Sequence, residues 1–243
     1  MLNTLLTDLK CYGALANLEH AIANFQDRIA FTGSLLEAEL ASRKKQTIKR
    51  RISQAGFPRI KEWTDIDYAY NPKIAFSAME PLLNGDFVRQ HKNICFIGRP
   101  GTGKTHCLIA IGRELCRKGF SVRFITASDL VLKLEDCKIN NSLPAFMQKI
   151  AKPQLLIIDE LGFVPFSDNG ARLLFEIFAK RYERGSIGIS TNLMFDKWTQ
   201  LFGSVELTAA LLDRFTQGAV IIPFDGETVR PIVGESTIRN LND

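Results

Sequence analysis

No C-x-x-C pair occurs in this sequence, and its five cysteines (Cys11, Cys95, Cys107, Cys116 and Cys137) form an odd set. That pattern argues against both a disulfide framework and a zinc site. Cys95 lies in an apolar run, and Cys107 and Cys116 share a helix-like stretch; in such settings a thiol acts as a small buried hydrophobe. No apolar run approaches the ~20 residues that cross a bilayer, so no membrane partner is expected. The first ten residues carry Asp8 and Lys10 and lack the apolar centre of a signal peptide, which makes the cytoplasm the expected location. Internal repeats are missing, and so is the composition of a disordered chain. Hydrophobic residues make up 46% and charged residues 23%, which is ordinary globular usage. A length of 243 residues suits one main domain with an appendage.

Acids are missing from one stretch. From Arg43 to Lys61 there are eight cations (Arg43, Lys44, Lys45, Lys49, Arg50, Arg51, Arg59 and Lys61) and no Asp or Glu. The formal net charge is +5, so without these eight the chain would stand at −3. Charge runs on helices are often only solvated faces. An uncompensated set of eight also suits phosphate contacts made without base readout. Few aromatics interleave it, so stacking on single strands is not indicated. On the second reading the partner is duplex DNA.

The chain divides by pattern into a helical module over 1–60, a connector over 61–92 and an α/β domain over 93–243. In the module, Leu2, Leu5, Leu6 and Leu9 recur at helical spacing, as do Leu15, Leu18, Ile22 and Phe25 after a turn at Gly13. Ser34-Leu35-Leu36-Glu37 has the form of a capping box, predicting a basic helix with Leu36, Leu40, Ile48 and Ile52 that stops at Ala55-Gly56-Phe57-Pro58. From Asn93 onward, apolar strands at 93–97, 121–125, 155–158, 187–191 and 219–224 alternate with helices. The helices fall near 104–118, from Ser128, near 145–150, from Ser167 to Gly185, and near 195–202 and 205–215. Apolar strands between helices predict a parallel sheet covered on both faces.

Gly98-Arg99-Pro100-Gly101-Thr102-Gly103-Lys104-Thr105 fits G-x-x-x-x-G-K-[ST] between a predicted strand and helix. Glycines let the backbone N–H groups turn toward phosphates, and the helix N-terminus adds positive potential. Lys104 is positioned to reach the β/γ-phosphates of ATP and Thr105 to ligate Mg²⁺. Leu155-Leu156-Ile157-Ile158-Asp159-Glu160 is an apolar strand that ends in two acids. Asp159 suits the Mg²⁺ shell, and Glu160 suits orienting or deprotonating the attacking water. Asn192, after Ser190-Thr191, either reaches the γ-phosphate or its water, or merely caps a turn. Arg214, in Leu211-Leu212-Asp213-Arg214-Phe215, is either a finger acting in trans on a neighbour's ATP or a surface helix cation of little energetic weight.

Together these segments resemble the IstB-like transposition helper ATPases, relatives of the DnaC-type helicase loaders. The resemblance runs through Leu36-Glu37-Ala38-Glu39-Leu40-Ala41, Phe57-Pro58-Arg59, Asp65-Ile66-Asp67-Tyr68 and Gly103-Lys104-Thr105-His106. It continues through Val122-Arg123-Phe124, Asp159-Glu160-Leu161-Gly162, Arg181-Tyr182-Glu183-Arg184-Gly185-Ser186, Phe195 with Trp198, and Leu212-Asp213-Arg214. It implies an AAA+ P-loop NTPase three-layer fold, preceded by a small all-α module and without a full C-terminal helical lid. Only 19 residues follow Phe224. It further implies His106 and Arg230 at the nucleotide, Asn192 as a sensor and Arg214 as the trans finger. In function it implies an ATP-dependent oligomer on DNA that assists a transposase in target selection and strand transfer. The chain departs from these relatives in reading Ser190-Thr191-Asn192 where Thr-Ser-Asn is usual, and in carrying Arg99 within the phosphate loop.

Two other functions compete. A helicase loader would use the N-terminal module to grip a helicase. An ATP-bound scaffold without turnover would need neither Glu160 nor Arg214.

Overall fold

The computed structural model describes residues 2–66, 74, 76–163 and 165–226. The chain forms two compact units, residues 1–53 and 54–243.

The first unit is helical: α1 (Leu2–Asp8), α2 (Tyr12–Ala16), α3 (Leu18–Asn24) and the long α4 (Arg28–Ala55). The basic helix therefore starts six residues before the expected cap at Ser34. Asp27 caps it, accepting the Ala30 N–H at 2.8 Å, while Ser34 Oγ accepts from Asn17 Nδ2 at 2.9 Å. Gly13 is no turn but lies within α2, where a Cβ would come 2.5 Å from the Ala38 carbonyl oxygen and Ser42 Cβ. That close approach sets which face of α4 is covered. Leu35 and Glu39 are buried, whereas Leu36 and Leu40 are exposed. Glu39 accepts the N–H of Gly13 at 2.8 Å and of Ala14 at 3.3 Å, and pairs with Arg43 at 2.6 Å. The Arg43 bond is the main influence that holds this carboxyl below its usual range. Gly56, with φ +75°, follows the last residue of α4.

The second unit is built on five parallel strands, β1 (Ile94–Gly98), β2 (Val122–Thr126), β3 (Leu155–Leu161), β4 (Ser186–Thr191) and β5 (Val220–Phe224), in the order β2-β3-β4-β1-β5. The short α5 (Asp86–Arg89) precedes β1 and α6 (Lys104–Arg117) follows it. Next come α7 (Ala127–Ile139), α8 (Leu143–Ala151), α9 (Asp168–Arg181), α10 (Thr199–Phe202) and α11 (Val205–Thr216). Strands β1, β3 and β4 are buried along nearly their whole length, as a parallel sheet covered on both faces requires. One core joins Leu156 and Ile158 of β3 to Leu130 and Leu134 of α7, Leu174 and Ile177 of α9, and Trp198.

Local chemistry moves several boundaries from their expected places. Thr126, not Ser128, caps α7, its side chain accepting the Asp129 N–H at 3.1 Å. Ser167 does cap α9, accepting the Gly170 N–H at 2.9 Å, but α9 ends at Arg181 rather than Gly185. Arg181 is buried and donates to the carbonyls of Ile150, Ala151, Pro153, Gln154 and Ser186, joining the end of α8 to the starts of β3 and β4. Burial pulls its guanidinium down to about 10.

Cys95, Cys107 and Cys116 are buried, and burial pushes the Cys107 thiol up to about 12. Cys11 and Cys137 are only half-buried. Among the described residues, no helix is long and apolar enough to cross a membrane.

The end of the expected helical module, from residue 54, and the expected connector over 61–92 both fall in the larger unit. Phe57 packs against Phe124 of β2 with ring centroids 6.0 Å apart. Glu62 clamps α6 through Arg113 (2.5 Å) and Arg117 (2.6 Å). Burial works to raise the Glu62 carboxyl, but the two guanidinium bonds outweigh it and hold the group below its usual range.

Candidate nucleotide-binding site

Residues 98–103 leave the end of β1 and curl into α6. Gly103 occupies the residue before that helix with φ +98°, in the left-handed region that glycine adopts without a Cβ penalty. The first N–H groups of α6 are thereby left free of intrahelical partners, the arrangement that binds phosphate. Lys104 is largely buried, and its Nζ donates to the carbonyls of Gly98 (2.6 Å) and Arg99 (2.7 Å). Thr102 Oγ1 donates to the Arg99 carbonyl at 2.9 Å and stiffens the loop.

The end of β3 comes alongside. Thr105 Oγ1 donates to Asp159, at 2.9 Å from Oδ1 and 3.0 Å from Oδ2. Asp159 is 3% exposed. Burial pushes its carboxyl above the usual range, against the opposing pull of hydrogen bonds from Ser190, Thr105 and the Glu160 N–H and of the Lys104 charge. Glu160 is exposed beside it, with φ +59°.

A cleft of about 750 Å³ runs past these groups. Pro100, Gly101, Gly103, Lys104, Thr105 and His106 line it, together with Asp159, Glu160, Ser190 and Asn192. Burial lowers the His106 imidazole below its ordinary value, and its Nε2 lies 3.4 Å from the Glu62 carbonyl oxygen. Gly98 and Thr102 belong to the same loop, where the Gly98 carbonyl accepts from Lys104 and the Thr102 hydroxyl donates to Arg99.

The fold separates the eight basic residues into three groups. Arg59 and Lys61, expected at DNA, line the nucleotide cleft, because the chain beyond α4 is strapped to α6 and β2 by Glu62 and Phe57. Arg43 is paired with Glu39. On α4, Lys44, Lys45, Lys49 and Arg50 are exposed and Arg51 is half-buried, and none makes an ion pair among the described residues. At 100° per residue these five point to several sides of the helix.

Arg214 is not brought to this cleft. It lies over the Phe175 ring, 5.4 Å from the centroid, and lines a second cleft of about 400 Å³ with Asn93 and Ile187, at the starts of β1 and β4. The phosphate loop leaves the opposite end of β1, about 16 Å away at ~3.3 Å per residue. Arg230 lies outside the described residues, as do Asp67 and Tyr68.

Sequence reasoning passed over Ser190, Arg123 and Lys133, all of which line the cleft. For Ser190 a signal was present: a small hydroxyl residue at the end of a buried strand, opposite the acid pair. Arg123 also donates to the Gln54 carbonyl at 3.1 Å.

A β2-β3-β4-β1-β5 parallel sheet, with a phosphate loop after β1 and an acid pair closing β3, defines a P-loop nucleotide-binding protein of the AAA+ class. Comparison with known proteins gives the family: the model described as IstB-like ATP binding protein matches residues 3–233, and the chain belongs to that family. It is 34% identical over 200 residues to an ATP-binding protein of insertion sequence IS5376 from Geobacillus stearothermophilus, covering 82% of this chain and 80% of the relative. It is 30% identical over 233 residues to the corresponding protein of insertion sequence IS21 from Pseudomonas aeruginosa, covering 94% and 88%. Among solved structures, the DnaC helicase loader superposes with a TM-score of 0.51 at 19% identity, over 71% of this chain and 99% of that one. The protein binds ATP, as its family and phosphate loop require.

Proposed function

We propose that this protein is an ATP-hydrolysing helper of DNA transposition that assembles on duplex DNA and assists a transposase. One observation carries hydrolysis above all: Asp159 is tied to Thr105, while the adjacent Glu160 carboxylate, without an ion pair among the described residues, lines the same cleft as Asn192. Binding alone does not require that second acid.

Mg²⁺ fits the donor set, because Thr105 and Asp159 offer hard oxygen atoms and leave positions for phosphate and water. When bound with ATP, the ion supplies neutralisation of the phosphate charge. The chain does the rest. Lys104 exchanges its loop carbonyls for phosphate oxygens, and backbone N–H groups of the loop hold the chain of phosphates. Glu160 accepts the proton of a water that attacks the γ-phosphorus, with Asn192 orienting that water. An oxygen–phosphorus bond forms, the bridging bond to the β-phosphate breaks, and ADP and phosphate result.

Arg214 supports assembly. Its cleft lies at the end of the sheet opposite the phosphate loop, so an arginine acting on ATP from there acts on a neighbour's nucleotide. The unpaired cations of α4 support sequence-tolerant contact with phosphates. The transposase partner rests on the insertion-sequence context of the relatives.

Turnover and sedimentation with and without duplex DNA test this reading. ATP and DNA together should drive a large assembly and change turnover; a monomer indifferent to duplex DNA would refute it. The likeness to DnaC favours one rival, helicase loading. Co-sedimentation with a replicative helicase but not with a transposase would make that rival the better account.

A further inference from the structure

We infer that Ser190 is a positioning residue for hydrolysis: its hydroxyl holds a β-bulge that turns Glu160 out of the sheet and into the nucleotide cleft. The inference rests on the proposed ATPase reading and deepens it.

The register between β3 and β4 is the starting point. Ile158 pairs with Ile189 and Leu161 with Thr191, so Asp159 and Glu160 together face Ser190 alone. Two residues opposite one is a bulge, and bulges re-aim side chains. Without it, strict alternation would send Glu160 to the same side as Leu156 and Ile158. That side is the apolar core against α7 and α9, where a carboxylate has no place. The extra residue frees Glu160 to solvent and lets Leu161 take the buried position.

The bulge needs holding. Glu160 has φ +59°, a conformation common for glycine and disfavoured for glutamate. Ser190 Oγ supplies the hold by accepting the Glu160 N–H at 2.9 Å and donating to Asp159 Oδ1. One buried hydroxyl, 2% exposed, thus fixes both acids relative to each other. The neighbouring Thr191 does separate work: its Oγ1 accepts the Leu193 N–H at 3.0 Å, shaping the turn that carries Asn192.

Ser190→Ala leaves the Glu160 N–H without its acceptor and lets the bulge drift. Removing such a supporting partner should lower kcat by about 10–100-fold, with KM for ATP and affinity for a non-hydrolysable ATP analogue changed less than ~threefold. Ser190→Thr, which keeps the hydroxyl, should recover most of the loss. The decisive measurement is a double-mutant cycle with Glu160→Gln. If Ser190 acts mainly through Glu160, Ser190→Ala should cost several-fold less in the Glu160→Gln background than in wild type, the remainder reflecting its bond to Asp159. Wild-type turnover in Ser190→Ala, the same fold-loss in both backgrounds, or loss of analogue binding in parallel with kcat would overturn the role of Ser190 while leaving ATP hydrolysis standing. Equal turnover in wild type and Glu160→Gln would instead remove Glu160 from the mechanism, and the role of Ser190 with it, whereas no ATP turnover in the wild type would overturn the hydrolysis reading itself.

Discussion

Glu62 is the residue whose removal most directly tests how the segment after α4 serves the nucleotide cleft. Its carboxylate accepts from Arg113 Nε (3.1 Å) and Nη2 (2.5 Å) through Oε1, and from Arg117 Nη2 (2.6 Å) through Oε2. The Arg113 side chain is 11% exposed, so breaking this arm leaves a poorly solvated charge; such charge-assisted bonds contribute about 1.5–3 kcal/mol. Arg117 is 37% exposed, and solvent screening reduces its arm to roughly 0.5–1 kcal/mol. Glu62→Gln retains one acceptor oxygen, so the net cost should be about 2–3 kcal/mol. For a unit of this size that lowers Tm by about 4–12 °C. The same strap carries Arg59 and Lys61 to the cleft wall, so ATP affinity should fall about three- to tenfold, equivalent to ~0.7–1.4 kcal/mol. Thermal unfolding and equilibrium titration with a fluorescent ATP analogue measure the two effects separately. An unchanged Tm would refute the energetic reasoning. A lowered Tm with unchanged affinity would show that the strap supports the fold but not the nucleotide.

Asp159→Asn should abolish Mg²⁺-dependent turnover and also change the pH dependence of stability. The folded carboxyl lies above its unfolded value, so the native state binds protons more tightly. Wild-type stability should therefore fall as pH rises from the unfolded to the folded value, and the variant should gain on it across that window. Urea unfolding at a series of pH values checks the sign; a variant that instead loses ground as pH rises would contradict it. Arg181→Met takes the guanidinium donor from carbonyls at the junction of α8, β3 and β4, of which Gln154's keeps the Ser186 N–H, and should cost about 3–5 kcal/mol in urea unfolding, whereas Arg181→Lys, with three donors and no planar fork, should recover only part. A near-neutral Arg181→Met would show that those carbonyls find water instead. Neutralising Lys44, Lys45, Arg50 and Arg51 together should reduce the log–log salt slope of duplex DNA binding by up to ~3–4. An unaltered slope would remove α4 from the DNA contact.

Much of the candidate site was legible because its residues are local in the chain. The phosphate loop is contiguous, and its glycines act within a few residues of Lys104 and Thr105. The apolar runs of β1, β3 and β4 announce buried parallel strands without reference to their neighbours. Where local signals compete, reading the sequence was less successful. Ser34 satisfies the pattern of a capping box, yet Asp27 also caps, and tertiary contact with α2 favours the longer helix. Leu36 and Leu40 suit an apolar face, yet α2 seats itself on the Leu35–Glu39 face because Glu39 meets its N-terminal N–H groups.

The sequence by itself determined the class of fold, the phosphate-binding loop, the acid pair after the buried strand and the cationic stretch, since each depends on residue types at short spacing. Only the tertiary structure decided that Arg59 and Lys61 belong to the nucleotide cleft, that Arg214 lies at the opposite end of the sheet, and that Ser190 joins the two acids. Those facts depend on strand order and register. A one-residue shift between two paired strands changes which side chains meet, and the residues that set it are far apart in the chain.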